Sequence, residues 1–450
     1  MTTAATTQAG SPTGFLRRIT AASAIGQGLD GYDLGIISVL LITIQSELHM
    51  GPFQTGLIGA SSLIGIFFGG PLFGYITDRF GRRLTFTVDL VVFLATAVAQ
   101  VFVQDTWQLF VVRLVMGIAI GAEYSIGAPM LSEFSPAKGR GHRLSFLEVG
   151  WYVGYVVAVA VSYLLFRVFG VSWRLTLATG AIPAIVCLLV RVGLPESPRW
   201  LLSRGRVEEA KEIVYQHLGK KFWEDEDFES EEKGHDSFGE SIKILFAPGQ
   251  RSKTVFACSF YAMLVAPYFA IATFEPTLLK GLNIGDPDIG TIAVNAVAAI
   301  GAVAGALLIE KFGRRQLLIG PFWICALALA VVGLFGAAPG LVIVFCFIVF
   351  AFFNATSSDL TTVYLPELFP TSVRTTGSGI ATAASRISAA VGTFLVPTAI
   401  THLGTPATML IAAAICAGGA VLSQVMAPET TGVSLTKATR LPSMPRTAAA

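Results

Sequence analysis

Several ionisable side chains stand inside stretches that are otherwise apolar: Asp30 and Asp33, Arg113 and Glu123, Glu148, Asp359 and Arg386. A charge placed in hydrocarbon costs several kcal/mol unless it is paired or hydrated, so each of these residues needs a purpose. Asp30 and Asp33 are three apart, about 60° around a helix, and both can face one aqueous cavity. Two carboxylates that close raise each other's proton affinity, which suits them to bind and release a proton. We expect Asp33 to be the main proton site and Arg113 to be the partner that holds it ionised when no proton is bound. The alternative is a permanent salt bridge joining the two helices. Glu123 is open to two roles, a second proton site or a partner for Arg113.

A solute site is sought on the same terms. Glu148, Trp151, Tyr152 and Tyr155 follow i, i+3, i+4, i+7 spacing and share one helix face, either as a packing stripe or as a binding wall. Arg386 cannot shed its proton, so it must meet an anion. That anion is either an internal acid such as Asp359 or a carboxylate on the solute. Asn354, Ser357 and Ser358 can add hydrogen bonds.

The elements that position these residues are membrane spans. Of the 450 residues, 53% are hydrophobic and 13% charged, against about a quarter charged in a soluble domain. Runs of roughly 20 apolar residues recur at 20–45, 54–76, 84–104, 108–131, 144–166 and 174–193, then at 253–275, 289–309, 316–336, 340–363, 378–401 and 405–426. The first run is too long for a secretory segment and lacks a cleavage site, so it is read as a retained span. The expected organisation is a tail at 1–19, a six-span half at 20–194, a central loop at 195–251, a second half at 252–427 and a tail at 428–450. The central loop, with its acidic run Glu224, Asp225, Glu226, Asp227, Glu229, Glu231 and Glu232, reads as short surface helices and a linker. Twenty-six of the 31 Lys and Arg residues fall in the tails, the central loop with its flanking helix ends and the connections after spans two, four, eight and ten. Both termini are therefore expected in the cytoplasm, at an inner or plasma membrane. The helices should be straight except at Gly and Pro, as near Pro267.

Composition excludes other classes. A net charge of +2 with scattered basic residues offers no nucleic-acid stripe. All five cysteines lie in apolar runs without a CxxC pair, and the five histidines sit near loops or helix ends, so no metal site, cofactor or enzymatic constellation is expected. The expected partners are a small solute, protons and the bilayer, with the chain acting as a monomer.

An internal repeat fixes the topology. Asp78-Arg79-Phe80-Gly81-Arg82-Arg83 recurs as Glu310-Lys311-Phe312-Gly313-Arg314-Arg315, displaced by 232. Glu133, Pro136 and Arg140 recur as Glu367, Pro370 and Arg374, displaced by 234, and Pro195-Glu196-Ser197 recurs as Pro428-Glu429-Thr430, displaced by 233. Three markers whose offsets agree to within two residues make two six-span halves of the same topology. The paired acids and bases, Asp78, Arg82, Glu133 and Arg140 with Glu310, Arg314, Glu367 and Arg374, suit ion pairs that close an inner gate in one access state and break in the other.

At Gly74-x-x-x-Asp78-Arg79-x-Gly81-Arg82-Arg83 the sequence resembles the major facilitator superfamily over essentially its whole length. Gly31-Tyr32-Asp33, Pro195-Glu196-Ser197-Pro198-Arg199-Trp200-Leu201 and Pro428-Glu429-Thr430-Thr431-Gly432 are similar to its sugar-porter group. The resemblance implies an all-α membrane fold of twelve helices in two six-helix halves, working by alternating access as a rocker switch. The departures bear on the solute. Glu148 stands where sugar porters carry a sugar-binding Gln, the seventh span from Tyr261 to Glu275 has no Gln pair, and Thr362 stands where a Trp is usual. Asp30-Gly31-Tyr32-Asp33 resembles the first-helix motif of aromatic-acid:proton symporters, and Ala384-Ser385-Arg386 resembles the arginine of organic-anion carriers. Arg113-x-x-x-Gly117-x-x-x-Gly121 is similar to both groups. The expected function is proton-coupled uptake of a small organic solute, an organic or aromatic acid ahead of a sugar or polyol. A metabolite or drug exporter and a non-transporting membrane sensor are the other readings.

Overall fold

Each apolar run becomes a helix because hydrocarbon leaves the backbone no partner but itself. The computed structural model describes residues 12–136, 139–225, 238–281, 287–335, 339–370 and 373–431. The helices of the first half are α1 (Pro12–Glu47), α2 (Pro52–Phe80), α3 (Arg82–Ala99), α4 (Thr106–Phe134), α5 (Arg140–Ser162), α6 (Trp173–Ala178) and α7 (Ala181–Arg191). Asp105 opens α4 by accepting from the backbone N–H groups of Trp107 at 2.8 Å and Gln108 at 3.0 Å, a side-chain cap for two otherwise orphaned donors. Four short helices follow: α8 (Pro198–Ser203), α9 (Val207–His217), α10 (Lys220–Asp225) and α11 (Phe238–Leu245). They are the surface helices expected of the central loop, whose acidic run from Glu226 to Glu232 lies outside the described residues. The second half comprises α12 (Arg251–Gly281), α13 (Pro287–Phe312), α14 (Arg314–Leu334), α15 (Gly340–Leu368) and α16 (Arg374–Met426).

Four details differ from the sequence reading. The first span begins earlier, at Pro12, and the sixth is divided into α6 and α7 around Thr179 and Gly180. The eleventh and twelfth runs join end to end as α16, of 53 residues. At 1.5 Å per residue that is about 80 Å, far beyond one bilayer of about 30 Å. Gly404, at φ 81° and ψ 162°, breaks its axis, so α16 supplies two spans and the described helices make twelve. The bend expected near Pro267 lies instead at Phe274 (φ −110°, ψ 15°), two residues before Pro276. Pro276 has no backbone N–H to give the carbonyl four residues earlier, which loosens the helix over this turn.

Packing repeats between halves. α1 lies along α5 and α2 along α4; correspondingly α12 lies along the first part of α16 and α13 along α15. The halves then meet reciprocally, α2 against α16 and α5 against α13. Glycine permits the closest approaches: a Cβ on Gly117 of α4 would lie 2.2 Å from the Ser62 carbonyl of α2. Outward faces carry bare apolar side chains such as Phe102, Leu189, Leu327 and Leu341, as lipid contact requires. The five cysteines are free, with Cys187, Cys325, Cys346 and Cys416 buried, as the small core residues expected.

The halves touch at both ends. On the face with the α1–α2 connection, the Phe53 ring meets Phe394 edge-on at 5.3 Å. On the face with the α4–α5 connection, His142 Nδ1 lies 3.2 Å from the Ala306 carbonyl oxygen, and Thr362 donates to the Leu144 carbonyl at 3.5 Å. The charged interior is thereby enclosed.

Candidate functional site

The buried charges separate into groups, each built where helices of known register cross. Asp33 on α1 faces α4, and Arg113 grips it with both terminal nitrogens, Nη1 to Oδ1 and Nη2 to Oδ2, each at 3.2 Å. Ser62 of α2 donates to Oδ2 at 2.9 Å. Arg113 is wholly buried and Asp33 nearly so. A two-pronged pair with an added hydroxyl recovers much of the desolvation cost, and the pair is internally neutral.

Asp30 does not share that environment. Trp151 of α5 donates its Nε1–H to Asp30 Oδ2 at 2.8 Å, and the Tyr124 hydroxyl of α4 donates to the same oxygen. One turn along α1 brings a different part of α4 alongside, so the two acids have no partner in common. Glu123 is the clearest correction: it pairs with Arg191 of α7 at 2.5 Å rather than with Arg113. Glu123 lies ten residues further along α4 than Arg113, nearly three turns away.

The α5 stripe faces inward as a wall between the halves. The Tyr152 hydroxyl and Ser358 Oγ of α15 lie 3.0 Å apart, and the Tyr155 hydroxyl donates to the Ala272 carbonyl of α12 at 2.9 Å. Glu148 Oε1 accepts from Thr361 Oγ1 at 3.2 Å. Trp151 packs against Tyr155, Tyr268 and Phe269 with ring centroids 5.5, 5.8 and 5.7 Å apart. Tyr268, Phe269 and Tyr124 were not singled out from sequence. Tyr261 and Tyr268 are seven residues apart on α12, and that spacing was the available signal.

Arg386 of α16 closes the ring. Its guanidinium lies over the Tyr124 ring, 4.1 Å from the centroid, and 5.5 Å from that of Phe269. It is 2% exposed, and its Nε has no hydrogen-bond partner. Among the described residues no carboxylate pairs with it, although Asp30 and Glu148 lie within electrostatic range. Asp359 is not its partner: both Asp359 oxygens lack a hydrogen bond, and the carboxylate lies against Gly305 of α13, where a Cβ would come within 2.3 Å. Asn354 donates to the Leu264 carbonyl at 3.1 Å while its own oxygen is unpartnered, and Ser357 turns to the Leu317 carbonyl of α14 at 3.0 Å. No metal-ligating cluster occurs among the described residues.

The motif residues build two matching knots, one per half. Arg82 at the start of α3 pairs with Glu133 at the end of α4 at 2.5 Å, and Arg314 pairs with Glu367 at 3.2 Å and with Glu310 at 3.7 Å. Glu196 accepts from the backbone N–H groups of Arg82 and Arg83 at 3.0 and 3.1 Å, and Glu429 does the same for Arg314 and Arg315 at the same distances. The Ser197 hydroxyl donates to Glu133, and Thr430 Oγ1 donates to Glu367 at 2.5 Å. The third repeated marker therefore has a mechanical role: its acid caps a helix whose first residues follow Gly81 or Gly313, at φ 94° and 82°. Partial burial opposes ionisation of Glu429, but these donors and Thr431 outweigh it and hold the carboxyl below the ordinary range. All three ion pairs lie within a half rather than across the halves. Arg140 donates to the Ser135 carbonyl at 3.2 and 3.1 Å, while the side chains of Asp78, Arg79 and Arg374 lie outside the described residues.

Two reciprocally packed six-span halves around enclosed charge and aromatic rings define a multi-pass membrane transporter of the major facilitator type. The fold matches that of the proton:xylose symporter XylE, with a TM-score of 0.78 at 23% identity over 95% of this chain and 98% of that one. Residues 19–441 match the model for "Sugar (and other) transporter", and the chain belongs to that family. It is 38% identical to the putative metabolite transport protein YaaU of Escherichia coli K12, over 94% of this chain and 95% of that protein. It is 29% identical to the niacin transporter NiaP of Acinetobacter baylyi, over 84% and 85% of the two chains. The family consists of transporters and not of enzymes.

Proposed function

We propose that the protein takes up a small organic acid together with protons across the inner or plasma membrane, with both termini cytoplasmic and one chain as the working unit. The observation that carries this reading is Arg386. A guanidinium buried in an aromatic ring, with no paired carboxylate among the described residues, is a receptor for an anion. Trp151, Tyr268, Phe269 and Tyr124 surround it with π-faces and suit a planar or apolar body behind the carboxylate. Glu148, Tyr152, Asn354, Ser358 and Asp359 supply the remaining polar wall. The names of the relatives and structural neighbours bracket the choice between niacin, an aromatic carboxylic acid, and xylose, a neutral sugar. The unpaired guanidinium favours the acid.

The Asp33–Arg113 pair is the proton switch. While ionised, Asp33 joins α1 to α4; when protonated, it releases Arg113 and removes an interaction specific to one access state. The knots at Glu133 and Glu367 fasten neighbouring helices inside each half, so that each half moves as a body.

Proteoliposomes offered labelled benzoate, nicotinate, succinate and xylose, each with and without an inward proton gradient, test this directly. At least one carboxylate should accumulate above its external concentration only when the gradient is present, and xylose should not. Accumulation of xylose alone would replace this reading with sugar symport.

A further inference from the structure

One buried acid was passed over in the sequence, and it changes the charge count of the first half. Asp89 lies on α3, 3% exposed, within a run of Thr, Val, Leu and Phe. It shares a small cavity between α1, α3 and α4 with Asp30 and Glu123, walled by Gly26, Phe93 and Ala119. The space suits about one water molecule.

Three observations describe this place. Asp30 reaches it from the solute ring: its Oδ2 is held by Trp151 and Tyr124, whereas its buried Oδ1 has no hydrogen-bond partner. On the other side, Glu123 meets Arg191 at 2.5 Å, and the Arg191 guanidinium stacks on Phe86, 4.0 Å from the ring centroid. Asp89 accepts from the Leu90 backbone N–H at 2.7 Å and lies in the electrostatic field of both Glu123 and Arg191. Gly26 keeps α1 clear of the bridge, because a Cβ there would fall 2.0 Å from Arg191 Nη2 and 2.2 Å from Glu123 Oε1.

The balance of charge then decides what the cluster can hold. Asp33 and Arg113 are one acid and one base, neutral without a proton. Asp89, Glu123 and Arg191 are two acids and one base. With both acids ionised, the site would carry an uncompensated negative charge in a low-dielectric interior, and one added proton removes it. The other titratable or charged groups facing the cluster are Cys187 on α7 and Tyr124 on α4, and beyond Asp30 lie Arg386 on α16, Asp33 on α1 and Glu148 on α5. None of them adds a second cation beside Asp89 and Glu123. Arg191 is the last residue of α7, and Arg18 near the start of α1 reaches the Val192 carbonyl beside it, so the cluster runs from Asp30 toward the end of the bundle where α1 begins.

We infer that Asp89, Glu123 and Arg191 form a second proton site that exchanges one proton with Asp30 across this cavity and passes it to water at the face where α1 begins. In each transfer the O–H bond on Asp30 breaks as one forms on a carboxylate of the cluster, directly or through one water, and the acid later loses that proton to solvent. The inference rests on proton coupling, but the site can be detected without any transported solute.

Infrared difference spectroscopy of the purified full-length protein in lipid, titrated between pH 5 and 9, reads protonated carboxyls from their C=O stretch. Asp89→Asn and Glu123→Gln should each remove or shift a component of that band. Each should also move the titration midpoint of the component lost in Asp30→Asn by about one pH unit, and Asp30→Asn should move the cluster's midpoint equally, since coupling is reciprocal. Asp33→Asn should leave the cluster's component in place. A band unchanged in both Asp89→Asn and Glu123→Gln, or components that titrate independently of Asp30, would overturn the inference. An intact, coupled band in a protein that shows no proton-driven uptake would uphold the site and refute the transport reading alone.

Discussion

Replacing Arg386 with Gln lowers kcat/KM for a carboxylate solute by about 100-fold or more, the scale expected when a buried charge-assisted contact worth roughly 3 kcal/mol is lost. Arg386→Lys recovers little, because an ammonium neither spreads over the Tyr124 ring nor presents two parallel N–H groups to a carboxylate. The loss should appear in binding as well as in turnover, since the contact is made before the halves move. Radioligand binding beside initial uptake rates checks this. Among the described residues Arg386 makes no direct ion pair, but its charge faces Asp30 and Glu148, so a melting curve in lipid beside the uptake assay separates loss of the solute contact from loss of fold. An uptake rate within threefold of wild type would make Arg386 a packing residue.

Asp33→Asn has a different signature. The proton switch is lost, so accumulation against a gradient falls to equality across the membrane, while solute exchange at equal concentrations persists. The variant also leaves Arg113 buried without its counter-charge, a defect of about 3–5 kcal/mol for a broken buried pair. Its melting temperature in lipid should therefore drop, and part of that drop should return when Arg113→Gln is added. Uptake driven by an imposed pH gradient and counterflow with preloaded solute separate the two effects. Unchanged accumulation in Asp33→Asn would make the pair a static brace.

The sequence showed the spans and the duplication most plainly, because a 20-residue apolar run and a fixed offset between motifs are one-dimensional signals. It was poorer at pairing charges, which depends on where helices cross. Arg113 did find Asp33, as expected. Glu123 did not join Arg113, because three turns of α4 carry it to α7 and Arg191, a residue at a helix end that reads as a topology marker. Asp30 and Asp33 share a helix face but not a neighbour. Asp89 was lost inside an apolar run whose mean hydropathy one acid barely lowers. The Pro-Glu-Ser and Pro-Glu-Thr markers were visible as repeats, yet their capping of α3 and α14 depends on chain segments more than a hundred residues apart. Likewise, the α12 bend falls at Phe274 and not near Pro267, because both prolines are permissive and only packing selects between them.

The claim beneath all of this is that the two halves enclose a chamber that opens alternately to each side, lined by Tyr152 and Ser358, with Arg386 in its wall. Its most direct test is a single cysteine at Ser358 in a cysteine-free version that still transports, treated with a membrane-impermeant thiol reagent from one side at a time. The account predicts labelling from either side during transport, and protection from both by a saturating carboxylate solute. Labelling from neither side while transport continues, or labelling that no transported solute slows, would contradict it.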